Sequence, residues 1–354
     1  MRQFLIYRWA LCAVAVIFST TAQSADPALP PALKAQVQAI LQSSQTVGAT
    51  VLLVDALGVS AAYLHGNVRA NTCHSAGAAG DALVALAAMR LAERGKVDLY
   101  AAVPSLLSKA LGMPASAVCN GKSKVSLSHL LEHTSGLGGL SGQGQICPGS
   151  RTAYSASGVA LAALSLEQTT KLSMRTLMKR EVFVPLAMNS SYWGQGAPIA
   201  SASSVASSCG GVPTTATAAV QAGLTTTPHD MANMLQMLVQ RGQVDAKTYL
   251  PQCAVERMGI SVSAVSMPGG NTAAAIDRAE YGLGLQRFKV GGQLWLGYSG
   301  DSQDSRWVWG YSSQSQSAMV IMLNGQDAKT LRAIKIAVAT HLQKDAAKVL
   351  ISNR

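Results

Sequence analysis

SHLLEHTSGL, residues 128–137, is the stretch from which the rest of the chain can be ordered. Its apolar residues fit a short helix over Val125–Glu132, and Ser126 or Ser128 is placed to cap the helix start. From Gly136 to Gly149 the sequence is a Gly-rich loop. His129, Glu132 and His133 also spell H-x-x-E-H, an inverted zinc-protease pattern. On a continuous helix the two histidines would share one face, as zinc ligation needs. A packed structural helix is the plainer reading of the same letters, and the flanking sequence decides between them.

Working outward from there, the N-terminal side carries a strong helix over Asp81–Glu93. Leu83, Leu86, Ala87, Met89 and Leu91 form its apolar face, and Gly95 stops it. Gly48–Leu57, rich in Val and Leu, reads as a buried strand, with Gly58–Asn67 as its hairpin partner. Pro30–Ser43 has apolar residues at helical spacing. On the C-terminal side, helices are expected over Ser157–Gln168, Ser173–Glu181 and Pro228–Arg241. Met231, Met234 and Met237 are read as core filling rather than as a binding surface. Ala200–Thr217 is low in complexity and reads as a surface loop. Four alternating segments (281–289, 292–299, 305–312 and 317–324) predict an antiparallel meander, and Asp327–Lys344 predicts a closing helix. The expected fold class is therefore α+β: a sheet built from about 45–70 and 280–325, flanked by terminal helices, with a mainly helical region inserted over about 80–245.

Composition is compatible with a large core, since 49% of the 354 residues are hydrophobic and 13% charged. Residues 1–25 read as an export signal: Arg2 and Arg8, an apolar run from Trp9 to Phe18, then small residues from Ser19 to Ala25. About ten apolar residues are too few to span a bilayer. The remaining 26–354 is expected to be one domain, periplasmic or secreted, with no transmembrane segment. The formal charge of +11 falls to +9 once the two signal arginines are removed. The basic residues are scattered, which disfavours nucleic acid and suits either solubility or contact with anionic envelope polymers. Five cysteines remain after cleavage (Cys73, Cys119, Cys147, Cys209 and Cys253), so at least one has no partner within the chain. Two bridges and one free thiol are expected, with the pairing left open.

Seven segments, in order, resemble the class C β-lactamase-related serine hydrolases, a group that includes esterases and D-Ala-D-Ala peptidases. LVALAAMRLAERGKVDL (83–99) is similar to the helix carrying the family nucleophile. SHLLEHTSGL is similar to H-L-L-x-H-T-S-G-L, a context in which those histidines recur without metal. PGSRTAYSAS (148–157) resembles P-G-x-x-x-x-Y-S-N, and VFVPLAMNSSYW (182–193) resembles I-F-x-P-L-G-M. Residues 222–230 match A-G-L-x-S-T-x-x-D. YGLGL (281–285) and GYSG (297–300) resemble the closing Y-G-L-G-W and G-H-T-G. The resemblance implies a β-lactamase/DD-peptidase-like sheet and a cleft for acyl transfer.

That chemistry needs a serine nucleophile, a lysine one helical turn later, and a tyrosine with a Lys- or His-Thr-Gly strand. Counting back from Gly95 and Lys96, the serine position is Ala78 and the lysine position Asp81. The second element keeps Tyr154 and Ser155 but has Ala156 for asparagine. The third reads Tyr298, Ser299, Gly300, where Tyr298 brings no cation. Backbone N–H groups at Ala78 and just after Gly300 are expected to survive as an anion-accepting niche. Asp81 is expected to be favoured as an ion in the first turn of its helix, typically by about 0.3–1 kcal/mol. Asp301 and Asp304 are expected to add negative charge, so that the cleft disfavours carboxylates and tolerates amines.

The leading expectation is a non-catalytic member of the fold that binds a peptidoglycan fragment or an envelope protein in a vestigial cleft, without cofactor or metal. A second is an active hydrolase with relocated chemistry on Tyr154, Ser155, Ser75 or Asp81. A third is an envelope interaction protein using an outer surface. A thiol nucleophile at Cys73 is disfavoured, because its neighbour His74 would point to the opposite face of a strand.

Overall fold

The computed structural model describes residues 26–66, 68–69, 71–103, 124–137, 147–150, 152–194, 223–260, 280–302 and 305–352. The signal-like segment, the low-complexity loop at 200–217, most of the Gly-rich loop, Cys119, Cys209 and Asp304 lie outside them.

In chain order the elements are α1 (Pro31–Gln42), β1 (Gly48–Asp55), β2 (Gly58–Gly66), β3 (His74–Ser75), a 3₁₀ turn (Gly77–Gly80) and α2 (Asp81–Glu93). There follow α3 (Leu127–Leu131), α4 (Ala156–Thr170), α5 (Met174–Met178), a π turn (Lys179–Phe183), β4 (Tyr192–Trp193) and β5 (Leu224–Thr226). Next come α6 (Pro228–Val239), β6 (Gln243–Val244), β7 (Lys247–Thr248) and α7 (Gln252–Met258). The chain closes with β8 (Glu280–Tyr281), β9 (Gln286–Val290), β10 (Gln293–Asp301), β11 (Ser305–Ser312), β12 (Ser317–Asn324) and α8 (Ala328–Ser352).

Seven strands form one antiparallel sheet in the order β2-β1-β12-β11-β10-β9-β8, so the first hairpin docks beside the last strand. Strand alternation sorts the core into two layers. Ala49, Val51 and Leu53 of β1, with Ile321 and Leu323 of β12, face Leu33, Val37 and Leu41 of α1 and Ile334 and Val338 of α8. Leu52, Val54, Val320 and Met322 face the inserted helices. Helix α2 lies at the centre of that second layer. Ten of its thirteen residues are buried, from Asp81 to Met89 and at Leu91, so it is covered nearly all round rather than along the single apolar face expected.

Local sequence sets the helix starts. Ser126 accepts from His129 N–H in a reciprocal capping box, Ser155 caps α4, and Thr227 caps α6 with Pro228 in its first turn. Two expectations are corrected. Residues 281–289 are not one strand: β8 and β9 are separated by a turn in which Gly284 has φ +81°, and any Cβ there would lie 2.0 Å from Ala85 Cβ on α2. The segment 173–181 is α5 running into the π turn, where buried Glu181 meets Arg94 at 2.7 Å, Arg180 at 2.8 Å and Arg90 at 3.4 Å. The small sheet β3-β5-β4 has no counterpart in the sequence reading, since strands of two or three residues leave no periodic signature.

Candidate active-site cleft

The 3₁₀ turn that leads into α2 is clamped from the sheet side. Indole Nε1 of Trp309 donates to Ala79 O at 3.0 Å, and that of Trp307 to Ser75 O at 3.0 Å. Strand β10 runs against the turn backbone to backbone. A Cβ on Gly300 would fall 2.1 Å from Ala79 N, and one on Gly77 (φ +50°) would fall 2.1 Å from Asp301 O. Only glycine at both positions permits that approach. Ala78 is partly exposed and stands near the start of the turn, where N–H groups have no acceptor within the helix. Ser302 N–H bonds to Ser305 O across β10 and β11, so Asp301, one residue earlier, directs its own N–H and C=O away from β11 and toward the turn. The two backbone donors expected from the sequence therefore sit on adjoining segments.

One helical turn beyond Ala78, Asp81 is 6% exposed, and among the described residues its carboxyl meets only hydroxyl groups. Tyr154 donates to its Oδ2 at 2.8 Å, and the Tyr298 hydroxyl lies beside it. Tyr298 OH lies 3.1 Å from Nε2 of His133, and Nδ1 of His133 accepts the backbone N–H of Ser155 at 3.3 Å. This fixes the tautomer. Because Nδ1 accepts, Nε2 carries the proton and donates to Tyr298, which leaves the Tyr298 hydroxyl hydrogen for Asp81. A directed chain thus runs from Ser155 N–H through His133 to Tyr298, whose hydroxyl lies beside Asp81, with Tyr154 bonding Asp81 from the other side. Tyr281 of β8 fills the gap, its ring centroid 4.6 Å from that of His133 and 6.4 Å from that of Tyr154.

Burial dominates the electrostatics. It raises the Asp81 pKa to about 7 despite the neighbouring tyrosine hydroxyls, and it lowers that of His133 to about 3, so the imidazole is neutral. Burial also pushes the Tyr154, Tyr281 and Tyr298 hydroxyls above their ordinary range, reinforced by nearby Asp81. The expected helix-terminus stabilisation of an Asp81 anion is therefore outweighed by desolvation.

The site residues read from the sequence meet these fates. Ala78, Asp81, Tyr154, Tyr298 and Gly300 come together. Ser155 lies beside them, but its hydroxyl accepts Gly158 N–H at 2.9 Å and caps α4, of which Ala156 is the first residue. Ser299 points its hydroxyl to Gln286 Oε1 at 3.2 Å instead. Asp301 adds no free charge, since Arg306 pairs with it at 3.2 Å. Cys73 and Cys147 are disulfide-bonded and Cys253 is free and exposed, so Cys73 has no thiol to act with.

Two members of the site escape the sequence reading. The helical pattern assigns His133 to packing, but α3 ends at Leu131 and His133 turns inward at φ +56°, off the face of His129. Tyr281 reads in sequence as the start of a strand and of the YGLGL segment, with no role at the site. The signal for His133 is its place next to Thr134-Ser135-Gly136, where a loop begins rather than a helix continues.

A family model described as Beta-lactamase matches residues 33–343, and the chain belongs to that family. Its structural neighbours include an octameric penicillin-binding protein homologue from Pyrococcus abyssi, at TM-score 0.66 and 18% identity over 88% of this chain and 77% of that one. A D-amino acid amidase from Ochrobactrum anthropi SV3 gives TM-score 0.65 and 18% identity over 88% and 99%. A β-lactamase/D-alanine carboxypeptidase from Pseudomonas syringae gives 0.64 and 15% over 88% and 99%. At these identities the likeness is one of fold. A comparison with curated proteins gave no match. Among the described residues no helix is long and apolar enough to cross a membrane.

Proposed function

We propose that this chain is an exported, non-catalytic member of the β-lactamase family that binds a cell-wall fragment or an envelope protein in its cleft. The observation that carries the reading is the pair at the centre of the site. A methyl group (Ala78) stands at the nucleophile position. At the base position stands a buried carboxyl that accepts from the Tyr154 hydroxyl, with the Tyr298 hydroxyl beside it. Neither supplies the hydroxyl nucleophile or the amine base through which this family forms its acyl-enzyme. In a serine protease such as subtilisin, loss of the serine alone costs about 10⁶-fold in turnover. Ser155 is committed to capping α4, and Tyr154 is held as a donor to Asp81 with its ionisation suppressed, which argues against relocated chemistry on either. Export rests on the basic, apolar and small-residue pattern of residues 1–25.

The test is intact-mass spectrometry of the mature protein after incubation with a penicillin and, separately, a fluorophosphonate, with an active homologue alongside. No mass shift is expected where the homologue labels. A shift mapped to a serine, tyrosine or other cleft residue would overturn the reading and name the nucleophile. Pull-downs whose partners survive cleft substitutions would move the binding surface elsewhere on the molecule.

A further inference from the structure

Accepting that the cleft binds rather than reacts, we infer that its ligand carries a primary ammonium group, which Asp81 receives against the rings of Tyr154, Tyr281 and Tyr298. The geometry on which this stands is a carboxyl without a counter-ion. Among the described residues no cation pairs with Asp81. The groups that face it are Tyr154 from the segment entering α4, Tyr281 from β8, Tyr298 from β10, and neutral His133 through Tyr298. On β10 and β11, Asp301 and Arg306 pair with each other at 3.2 Å.

An aspartate is also several atoms shorter than a lysine. With alanine rather than serine at residue 78, no described side chain supplies an ammonium at the position where the family's pattern would put one. A ligand ammonium standing there would meet the carboxylate at one end and tyrosine faces around it, the combination that cation recognition uses. Tyr154, whose hydroxyl donates to Asp81, is 41% exposed and links the carboxyl to the surface. A carboxylate ligand would instead bring a second negative charge against Asp81.

The inference has a proton signature. Asp81 must be ionised to pair with the ammonium, and its pKa in the free protein is raised to about 7. Binding therefore releases a proton on the acid side of neutrality. The apparent affinity should rise about thirtyfold between pH 5.5 and pH 8, where an alkylammonium stays charged. His133, lowered to about 3, does not titrate in this window.

The experiment is calorimetric titration with benzylammonium, benzyl alcohol and phenylacetate at both pH values, in buffers of different ionisation heat. Benzylammonium is expected to bind at least tenfold more tightly than either analogue at pH 8, and to release close to one proton at pH 5.5. Asp81→Asn keeps an acceptor for the Tyr154 hydroxyl, and should lose both the preference and the proton release. Tyr154→Phe should keep the pH dependence while weakening binding. Equal binding of phenylacetate, an ammonium preference that survives in Asp81→Asn, or no binding of benzylammonium at millimolar concentration would each overturn the inference. Penicillin labelling of the same preparation separates the two ideas. A covalent adduct would sink the non-catalytic reading whatever the amines do, and the amine titration decides the ligand class whatever the labelling shows.

Discussion

At the residue scale, Asp81 is a stability liability whose size depends on pH. Its folded pKa of about 7 lies above its ordinary value of 3.8. Below pH 4 both folded and unfolded chains are protonated and Asp81 is neutral in effect. Between pH 4 and 7 the unfolded chain ionises while the folded one does not, so stability falls with rising pH, by on the order of 4 kcal/mol in all; above 7 the loss is complete and level. Asp81→Asn keeps an acceptor for Tyr154 without the charge. Its advantage over wild type should grow by about 2–3 kcal/mol from pH 5 to pH 8. Urea titrations at the two pH values measure this, and a margin that does not change with pH would show that the carboxyl is not an isolated buried acid. Asp81→Lys should melt below wild type, because a buried ammonium there would meet neutral His133 and no carboxylate. A lysine variant at least as stable would show that the site accommodates a buried cation without a carboxylate partner. Gly300→Ala should cost about 3 kcal/mol, as its methyl would sit 2.1 Å from Ala79 N.

At the element scale, the cleft is kept in shape by parts that take no role in catalysis. Trp309 is fully buried and its indole fixes the Ala79 carbonyl, so the turn before α2 is tied to β11. Trp309→Phe leaves that carbonyl without its donor and should cost about 1–3 kcal/mol, read from denaturant midpoints, while the far-UV spectrum stays native. Ser126→Ala, which removes the α3 cap, should cost about 1 kcal/mol. Much of this scale is legible in the sequence. Asp81–Glu93 can be read to the residue, because its apolar spacing is continuous and Gly95 ends it. Strands 305–312 and 317–324 are as legible from their alternation. What escapes is set by contacts rather than by pattern. Gly284 breaks β8 from β9 because α2 lies against it, and the His133 turn depends on Tyr298, 165 residues away. Vacancies at the family's motif positions are visible in the sequence as letters. The hydroxyl network that fills them is not, since it joins Tyr154, Tyr298 and His133 from three separate elements.

At the scale of the whole molecule, the chain's two ends make one layer. Helices α1 and α8 pack on each other and on the outer sheet face, so the sheet cannot bury Val51, Leu53, Ile321 and Leu323 until the last helix arrives. The first hairpin depends on the same event, because β1 pairs with β12, the final strand. Closure is therefore long-range in sequence, and side chains of α8 should count toward global stability rather than toward local fraying. The helix carries its own control. Ile334 is fully buried against the sheet, while Ile336, two residues on, is 44% exposed. Ile334→Ala should lower stability by about 2–5 kcal/mol, the usual cost of a large-to-small change in a core. Ile336→Ala should move it by no more than about 0.5 kcal/mol. Global unfolding by urea, followed by tryptophan fluorescence, reports on both. Buried Trp295 faces the α1 and α8 layer, and Trp307 and Trp309 face the cleft layer. If the two layers form one cooperative unit, Ile334→Ala should shift the fluorescence and far-UV transitions together. Transitions that separate would mean that the terminal helices can leave while the cleft stays folded.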